Sequence, residues 1–379
     1  MNIAILGTRG IPNNYGGFEQ FAEYLSSTLV KKGHNVTVYS SHNHPYKHKS
    51  FKNVTIKHIL NPEKYIGTFG QFFYDLFSIL HTRTQNYDVI LHLGYASSSI
   101  FLKLHKKSMS IVTNVDGFEW QRGKYSTLTK QFLKLAELLA VKHSDHLIAD
   151  SKIIRDYYIN KYGVQPCFIP YGANILQNKN NTNILAKFNL QKYKYNMLVA
   201  RFEPENNIET ILQGVLDSKN KMTFLVVGDY DNSYGKYIKR KFSNKLIRFL
   251  GGIYNIETLN SLRYYSNIYF HGHSVGGTNP SLLEAMASCA LICAHKNKFN
   301  EVVLGNDALY FNTCGDIKSI LDNTIRDNYS SFVANNLKKI QLTYNWQIVS
   351  NKYEEYLEQC IAEKKSIQQV THIYDIKGK

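Results

Sequence analysis

Short apolar runs alternate with amphipathic stretches along nearly the whole chain. In the first half these runs fall at 2–7, 35–40, 54–58, 89–93, 110–115, 146–150 and 167–171, and they read as β-strands. Between them apolar residues recur every three or four positions. Phe18, Phe21, Ala22, Leu25 and Leu29 mark one helix, which should stop at Lys31, Lys32 and Gly33, two cations and a glycine. From 175 to 192 the chain turns polar, with Asn178, Asn180, Asn181 and Asn183 close together, and this reads as a linker. Strands then restart at 195–200, 221–227, 246–250, 268–271 and 291–294. Trp346, Ile348, Val349, Tyr353, Tyr356 and Leu357 have the spacing of one more helix.

Strands alternating with helices predict parallel sheets wrapped by helices, and the restart predicts two of them. The expected fold is therefore α/β, with two Rossmann-like domains at 1–175 and 193–343 joined by a linker at 176–192. A helix at 344–364 is expected to pack back toward the N-terminal domain, and 365–379 is a tail without period. A chain of 379 residues is long enough for two such cores, and 44% apolar with 20% charged residues is a globular balance.

The first residues run straight into an apolar strand, so no signal peptide is read, and no 18-residue apolar run suggests a membrane span. A cytoplasmic protein, peripheral at most on the inner face of the plasma membrane, is expected. Five cysteines with no C-x-x-C spacing indicate neither a disulfide framework nor a zinc site. The net charge of +16 is spread over both halves and calls for an anionic partner: a phosphorylated substrate, an anionic membrane surface or nucleic acid. The densest basic stretches are 46–52 and 103–107. A nucleic-acid binder would interleave aromatics with cations on one face, whereas most aromatics here fall at core positions, so nucleic acid is not an expected partner.

In open α/β sheets ligands bind beyond the carboxyl ends of the strands, which directs attention to four loops. After the first strand, residues 7–18 include Arg9, Asn14, Tyr15, Gly16 and Gly17, and the paired glycines at a helix start let backbone amides approach an anion. The spacing is not G-x-G-x-x-G, which argues against a dinucleotide cofactor. After the fifth strand, Asp116, Glu119, Trp120 and Arg122 fall within ten residues. In the second half Arg201 follows a strand and can fork onto phosphate oxygens. Residues 271–286 carry the most distinctive pattern: a strand end, a small-residue loop through Gly276, Gly277, Thr278 and Asn279, and a helix opening near Pro280 with Glu284 one turn inside.

Through 7–18, 116–122, 204–207 and 272–286 the chain resembles the retaining GT-B glycosyltransferases of glycosyltransferase family 4, and within them the bacterial polysaccharide rhamnosyltransferases. The resemblance covers residues 1–360 and implies two domains facing each other across a cleft. It implies that Gly16 and Gly17 lie near the donor phosphates, and that Asp116 stands where many relatives have a histidine contacting the donor sugar. Arg201 and the loop Gly277, Thr278 and Asn279 would bind the diphosphate. Glu284 matches the second glutamate of E-x7-E, which binds the ribose. The sequence departs twice: the first glutamate falls at Gly276, and the lysine usually paired with the arginine falls at Asn206.

The expectation is a retaining, metal-independent hexosyl transfer with Asp116, Glu119 and Arg201 as catalytic residues. Gly16, Gly17, Arg201, Gly276, Gly277, Thr278, Asn279 and Glu284 would bind the donor, and Arg9, Asn14, Tyr15 and Arg122 would serve the acceptor side. No cofactor is expected beyond a dTDP- or UDP-linked sugar donor, and the acceptor expected is a lipid-diphosphate-linked saccharide. A nucleotide-sugar 2-epimerase of the same architecture and a basic nucleic-acid-binding protein are the alternatives.

Overall fold

Each apolar run read as a strand contains one. The structure, a computed structural model, describes residues 1–14, 16–123, 125–177 and 182–377, of which 370–377 by backbone alone. Tyr15 and three of the linker asparagines, Asn178, Asn180 and Asn181, lie outside the described residues.

The chain forms two compact units. The first comprises residues 1–120 and 126–170 with the C-terminal helix Trp346–Lys377; the second comprises Gln121–Tyr125 and Tyr171–Asn345. In the first unit the strands are β1 (Asn2–Leu6), β2 (Asn35–Ser41), β3 (Ser50–Phe51), β4 (Val54–Ile59), β5 (Val89–Leu93), β6 (Ser110–Asn114), β7 (His146–Ala149) and β8 (Cys167–Phe168). They lie in the order β3-β4-β2-β1-β5-β6-β7-β8, parallel except for the short β3. Strands β5 and β6 are buried at every position, which is why they read as unbroken apolar runs.

In the second unit β9 (Tyr195–Val199), β10 (Thr223–Val227), β11 (Ile247–Gly251), β12 (Tyr269–His271), β13 (Ile292–His295) and β14 (Leu309–Phe311) form a wholly parallel sheet in the order β11-β10-β9-β12-β13-β14. This is the doubly wound order, reversing direction between β9 and β12. The core of this unit packs Phe202, Phe224, Phe242 and Phe270 with Leu198, Ile211, Leu212 and Ile317.

Two expectations change. The stretch read as a linker holds a helix, Asn183–Lys187, whose Ile184 and Leu185 are buried in the second unit, so its apolar pair outweighs its asparagines. The C-terminal helix begins at Trp346 and continues past 364 to Lys377. Its early turns pack Trp346 on Tyr24 (4.8 Å between ring centroids) and Tyr353 on Phe21 (5.0 Å), and Glu354 engages Lys32 and His34. Further along, Lys364 Nζ pairs with Asp145 at 2.7 Å and Gln368 Nε2 donates to the Lys107 carbonyl, so polar contacts hold the part without apolar period. Among the described residues no helix is long and apolar enough to cross a membrane.

Candidate active site

Because β9 and β12 are parallel neighbours, with Tyr269 beside Met197, the loops that follow them leave the same edge of the sheet at the point of reversal. One loop carries Arg201 and the other the glycines. They are stitched together: Ser274 donates from its backbone N (3.0 Å) and its Oγ (2.8 Å) to the Glu205 carbonyl, and Asn207 Nδ2 donates to the Gly272 carbonyl at 2.8 Å. A Cβ at Gly272 would stand 2.0 Å from the Asn206 carbonyl oxygen, so only glycine allows this approach.

Both departures from the pattern that the sequence resembles have a local physical reason. The Asn206 side chain is buried and donates to the Arg201 carbonyl at 2.7 Å, holding the turn from which the exposed Arg201 projects. Gly276 has φ +132, where a glutamate would be strained although the space around it is open. Asn279 caps the helix Pro280–Ala287 by accepting from Ser281 N at 2.9 Å, with Pro280 at its first position and Thr278 buried beside it.

Glu284, one turn into that helix, is ion-paired at 2.7 Å with Nη1 of Arg263, a fully buried arginine. Arg263 also donates to Asn260 Oδ1 (2.8 Å) and Ser281 Oγ (3.2 Å) and lies over the Tyr269 ring. Beneath the glycine loop, His271 and His273 stack at 4.4 Å. Burial, and then the neighbouring Arg201 and Arg122 guanidinium groups, push His273 down to about 3, so it stays neutral. Arg122, expected on the acceptor side, thus lies within electrostatic reach of His273. Both carboxylate oxygens of Glu205 are buried without a hydrogen-bond partner among the described residues.

In the first unit the sheet order reverses between β1 and β5. The loop after β1 is held from below by the buried Glu19, which accepts from Arg9 N (2.8 Å) and Thr8 Oγ1 (3.2 Å). The Arg9 guanidinium is engaged by Glu63 at 2.6 Å. Asn14 is exposed; Gly16 stands at the N-cap of the helix Gly17–Lys31, where it has no side chain to offer the first amides. Asp116, after β6, sits in the left-handed region at φ 46 with its N–H on Asn114 Oδ1 at 3.0 Å. Glu119 opens the short turn Glu119–Gln121.

Three charged residues that the periodicity hid organise these loops. Glu137 is fully buried and accepts from Trp120 Nε1 (3.0 Å), the hydroxyls of Tyr157 (2.8 Å), Tyr162 (2.6 Å) and Tyr95 (3.4 Å), and Lys161 Nζ (2.9 Å). It thereby fixes the loop that carries Asp116. Asp75, also buried, accepts from Ser97 and Gln71; burial pushes its carboxyl up to about 7 against the pull of those hydrogen bonds. The third is Arg263. Each lies in helical register with core residues: Glu137 with Leu133 and Ala140, Asp75 with Ile79 and Thr82, Arg263 with Leu259. That register is the signal that could have found them.

The same arrangement of sheets recurs in solved structures. Sucrose-phosphate synthase from Thermosynechococcus elongatus superposes with a TM-score of 0.79 at 16% identity, covering 96% of this chain and 99% of that one. The chain has the GT-B fold. Anabaena Alr3699/HepE, solved in complex with UDP and glucose, matches with a TM-score of 0.71 at 14% identity over 94% and 99% of the two chains. The α,α-trehalose-phosphate synthase (UDP-forming) from Burkholderia xenovorans, in complex with glucose-6-phosphate, gives 0.74 at 11% identity over 94% and 100%. Residues 1–174 match a family described as a domain of unknown function (DUF1972). No curated protein matches the chain in sequence.

Proposed function

We propose that this protein is a retaining, metal-independent glycosyltransferase of glycosyltransferase family 4. The donor is dTDP-L-rhamnose in the first instance and a UDP-linked sugar in the second; the acceptor is a lipid-diphosphate-linked saccharide of a surface polysaccharide, met at the inner face of the membrane. One observation carries the reading: at the reversal of the second sheet, the Arg201 loop is hydrogen-bonded to a glycine loop that opens an asparagine-capped helix. A guanidinium beside such a helix start suits a diphosphate. UDP and UDP-glucose bound to structures of the same fold support it.

In this reaction the acceptor oxygen attacks the anomeric carbon on the face that the diphosphate leaves. The bond to the phosphate oxygen breaks as the new glycosidic bond forms, and the acceptor proton passes to the departing oxygen. Arg201 and the amides of residues 277–279 take up the leaving charge, Glu284 receives the ribose, and Asp116 and Glu119 address the sugar hydroxyls. Loss of one such charge-stabilising group costs about 3 kcal/mol in the transition state, so Arg201→Ala should lower kcat by about 10²- to 10³-fold. A drop in Asp116→Asn smaller than about 10²-fold would assign Asp116 to positioning and not to proton removal.

A thermal-shift screen of nucleoside diphosphates and their sugars tests the binding half, and product analysis with a lipid-linked acceptor in the presence of EDTA tests the transfer. If no nucleotide raises the melting temperature of the wild type, or if Arg201→Ala responds as the wild type does, the proposal is wrong.

A further inference from the structure

The first unit exposes an unusual amount of large apolar surface in two helical segments. Tyr65 (84% exposed), Ile66, Phe69 (71%) and Phe73 lie in residues 63–82, and Leu128 (78%) and Leu135 lie on the helix Thr127–His143. They form one surface, because the rings of Phe69, Phe72 and Phe132 make a chain with centroid separations of 6.0 and 5.6 Å that joins the two segments. Leu128, Phe132 and Leu135 repeat at i, i+4 and i+7, so the apolar stripe follows one face of its helix. A contiguous apolar face of this kind on a soluble unit marks a docking surface.

Charge says what covers it. Glu63 is paired with Arg9, while Asp75 and Glu137 are buried, so no carboxylate of these two segments is presented unpaired to solvent. The cations are presented: Lys64 and Lys134 are exposed and Lys130 is half-buried. A second copy of the chain would set this cation-bearing face against itself, which like charge disfavours. Of the basic stretches singled out in the sequence, 46–52 is partly neutralised, since Lys52 pairs with Glu23 at 2.9 Å.

We propose that residues 63–82 and the helix Thr127–His143 form a membrane-docking face that inserts Tyr65, Phe69 and Leu128 into the headgroup boundary of an anionic bilayer, with Lys64, Lys130 and Lys134 on the lipid phosphates. This deepens the reading that the acceptor is met at the membrane, while the observations that carry it do not depend on the transferase chemistry. The full-length chain is sedimented with vesicles of phosphatidylglycerol mixed into phosphatidylcholine, and with phosphatidylcholine alone. The wild type should bind the anionic vesicles and not the neutral ones. Tyr65→Ser/Phe69→Ser/Leu128→Ser should lower the partition coefficient by about 100-fold. Each of Lys64→Gln and Lys130→Gln should lower it about fivefold. These side chains are at the surface, so circular-dichroism melting and the nucleotide thermal shift should stay as in the wild type, which separates this test from that of the transferase. Absence of binding to anionic vesicles, or equal binding by the triple variant, overturns the proposal. A triple variant that turns a dimer into a monomer in analytical ultracentrifugation, with no vesicle binding by either form, overturns it in favour of a second copy.

Discussion

Glu284→Gln tests how the candidate nucleotide site is held. Arg263 has no exposure to water, and among the described residues its partners besides Glu284 are neutral: Asn260 at 2.8 Å and Ser281 at 3.2 Å, with Nε making no hydrogen bond. Taking the charge from Glu284 therefore leaves a buried guanidinium uncompensated, which costs about 3–5 kcal/mol. Arg263→Met is less damaging. The Glu284 side chain is 14% exposed and can turn its carboxylate toward water, so about 2–3 kcal/mol is expected, largely from the hydrogen bonds lost by Asn260 and Ser281. In Arg263→Met/Glu284→Gln neither charge is stranded, and the double variant should be more stable than Glu284→Gln alone. The coupling between the two sites should be about 2–3 kcal/mol, well above the few tenths expected of independent positions.

The assay is urea unfolding of wild type, both single variants and the double, followed by far-ultraviolet circular dichroism with nucleotide absent. At about 2–4 °C per kcal/mol for a unit of this size, Glu284→Gln should also melt roughly 10 °C below the wild type. Additive effects of the two substitutions, or a Glu284→Gln penalty under about 1 kcal/mol, would refute the reasoning. The result also governs the ligand experiments. A Glu284 variant in the wild-type background confounds lost ribose contact with a stranded arginine, whereas the same change on Arg263→Met isolates the contact.

Other outcomes follow from the same contacts. His271 and His273 in one unit and His92 and His105 in the other are pushed by burial below the usual histidine range, His273 to about 3 and His105 to about 4. The unfolded chain binds more protons at these sites, so stability falls as pH falls below about 6.5, by about 1.4 kcal/mol per pH unit for each group. Asp75, raised to about 7, acts oppositely, since its folded form keeps a proton that the unfolded form loses above about 4; it offsets one histidine, and melting curves from pH 7 to 5 should still drop steeply. Gly272→Ala should destabilise the second unit by about 3 kcal/mol and abolish any nucleotide thermal shift, because its Cβ forces the two stitched loops apart; Gly276→Ala, strained but unobstructed, should cost about 1–3 kcal/mol. Glu137→Gln should destabilise the first unit by about 2–4 kcal/mol and alter Trp120 fluorescence, which reports release of the Asp116 loop.

The strands were legible because both sheets are parallel apart from the short β3 and their central strands are covered on both faces, so that a run such as β5 or β6 is apolar throughout. Strand β3 was not, because its two residues are defined by a turn with Lys52 and Asn53 both at positive φ, and lysine gives no turn signal there. Strand β14 is three residues at a sheet edge, too short for any period. The loops at the carboxyl edges could be found without coordinates, since a parallel strand fixes where its following loop emerges. The side chains that brace those loops left only their helical register with core residues as a signal. Asp75, Glu137 and Arg263 sit on apolar helix faces, and a charge within an apolar stripe reads as an interruption until its partners, distant in sequence, are known.

The two places where the sequence departs from the family it resembles illustrate how far a missing charge alters a site. Asn206 is buried, and its amide fixes the backbone from which Arg201 projects. A glutamate at 276 would need a backbone that L-residues avoid, whereas glycine at φ +132 lets the loop enter the helix capped by Asn279. The substitutions thus exchange side-chain charge for backbone geometry. Position 206 carries no positive charge, yet Arg201 and Arg122 both depress His273, so two guanidinium groups share the surroundings of that histidine. Were His273 to bind a proton, a third cation would join them in a buried place, and burial together with the two arginines prevents it. His273 therefore stays uncharged across the range in which an exposed histidine would titrate, and it adds no pH dependence of its own to the attraction of this region for a phosphate anion.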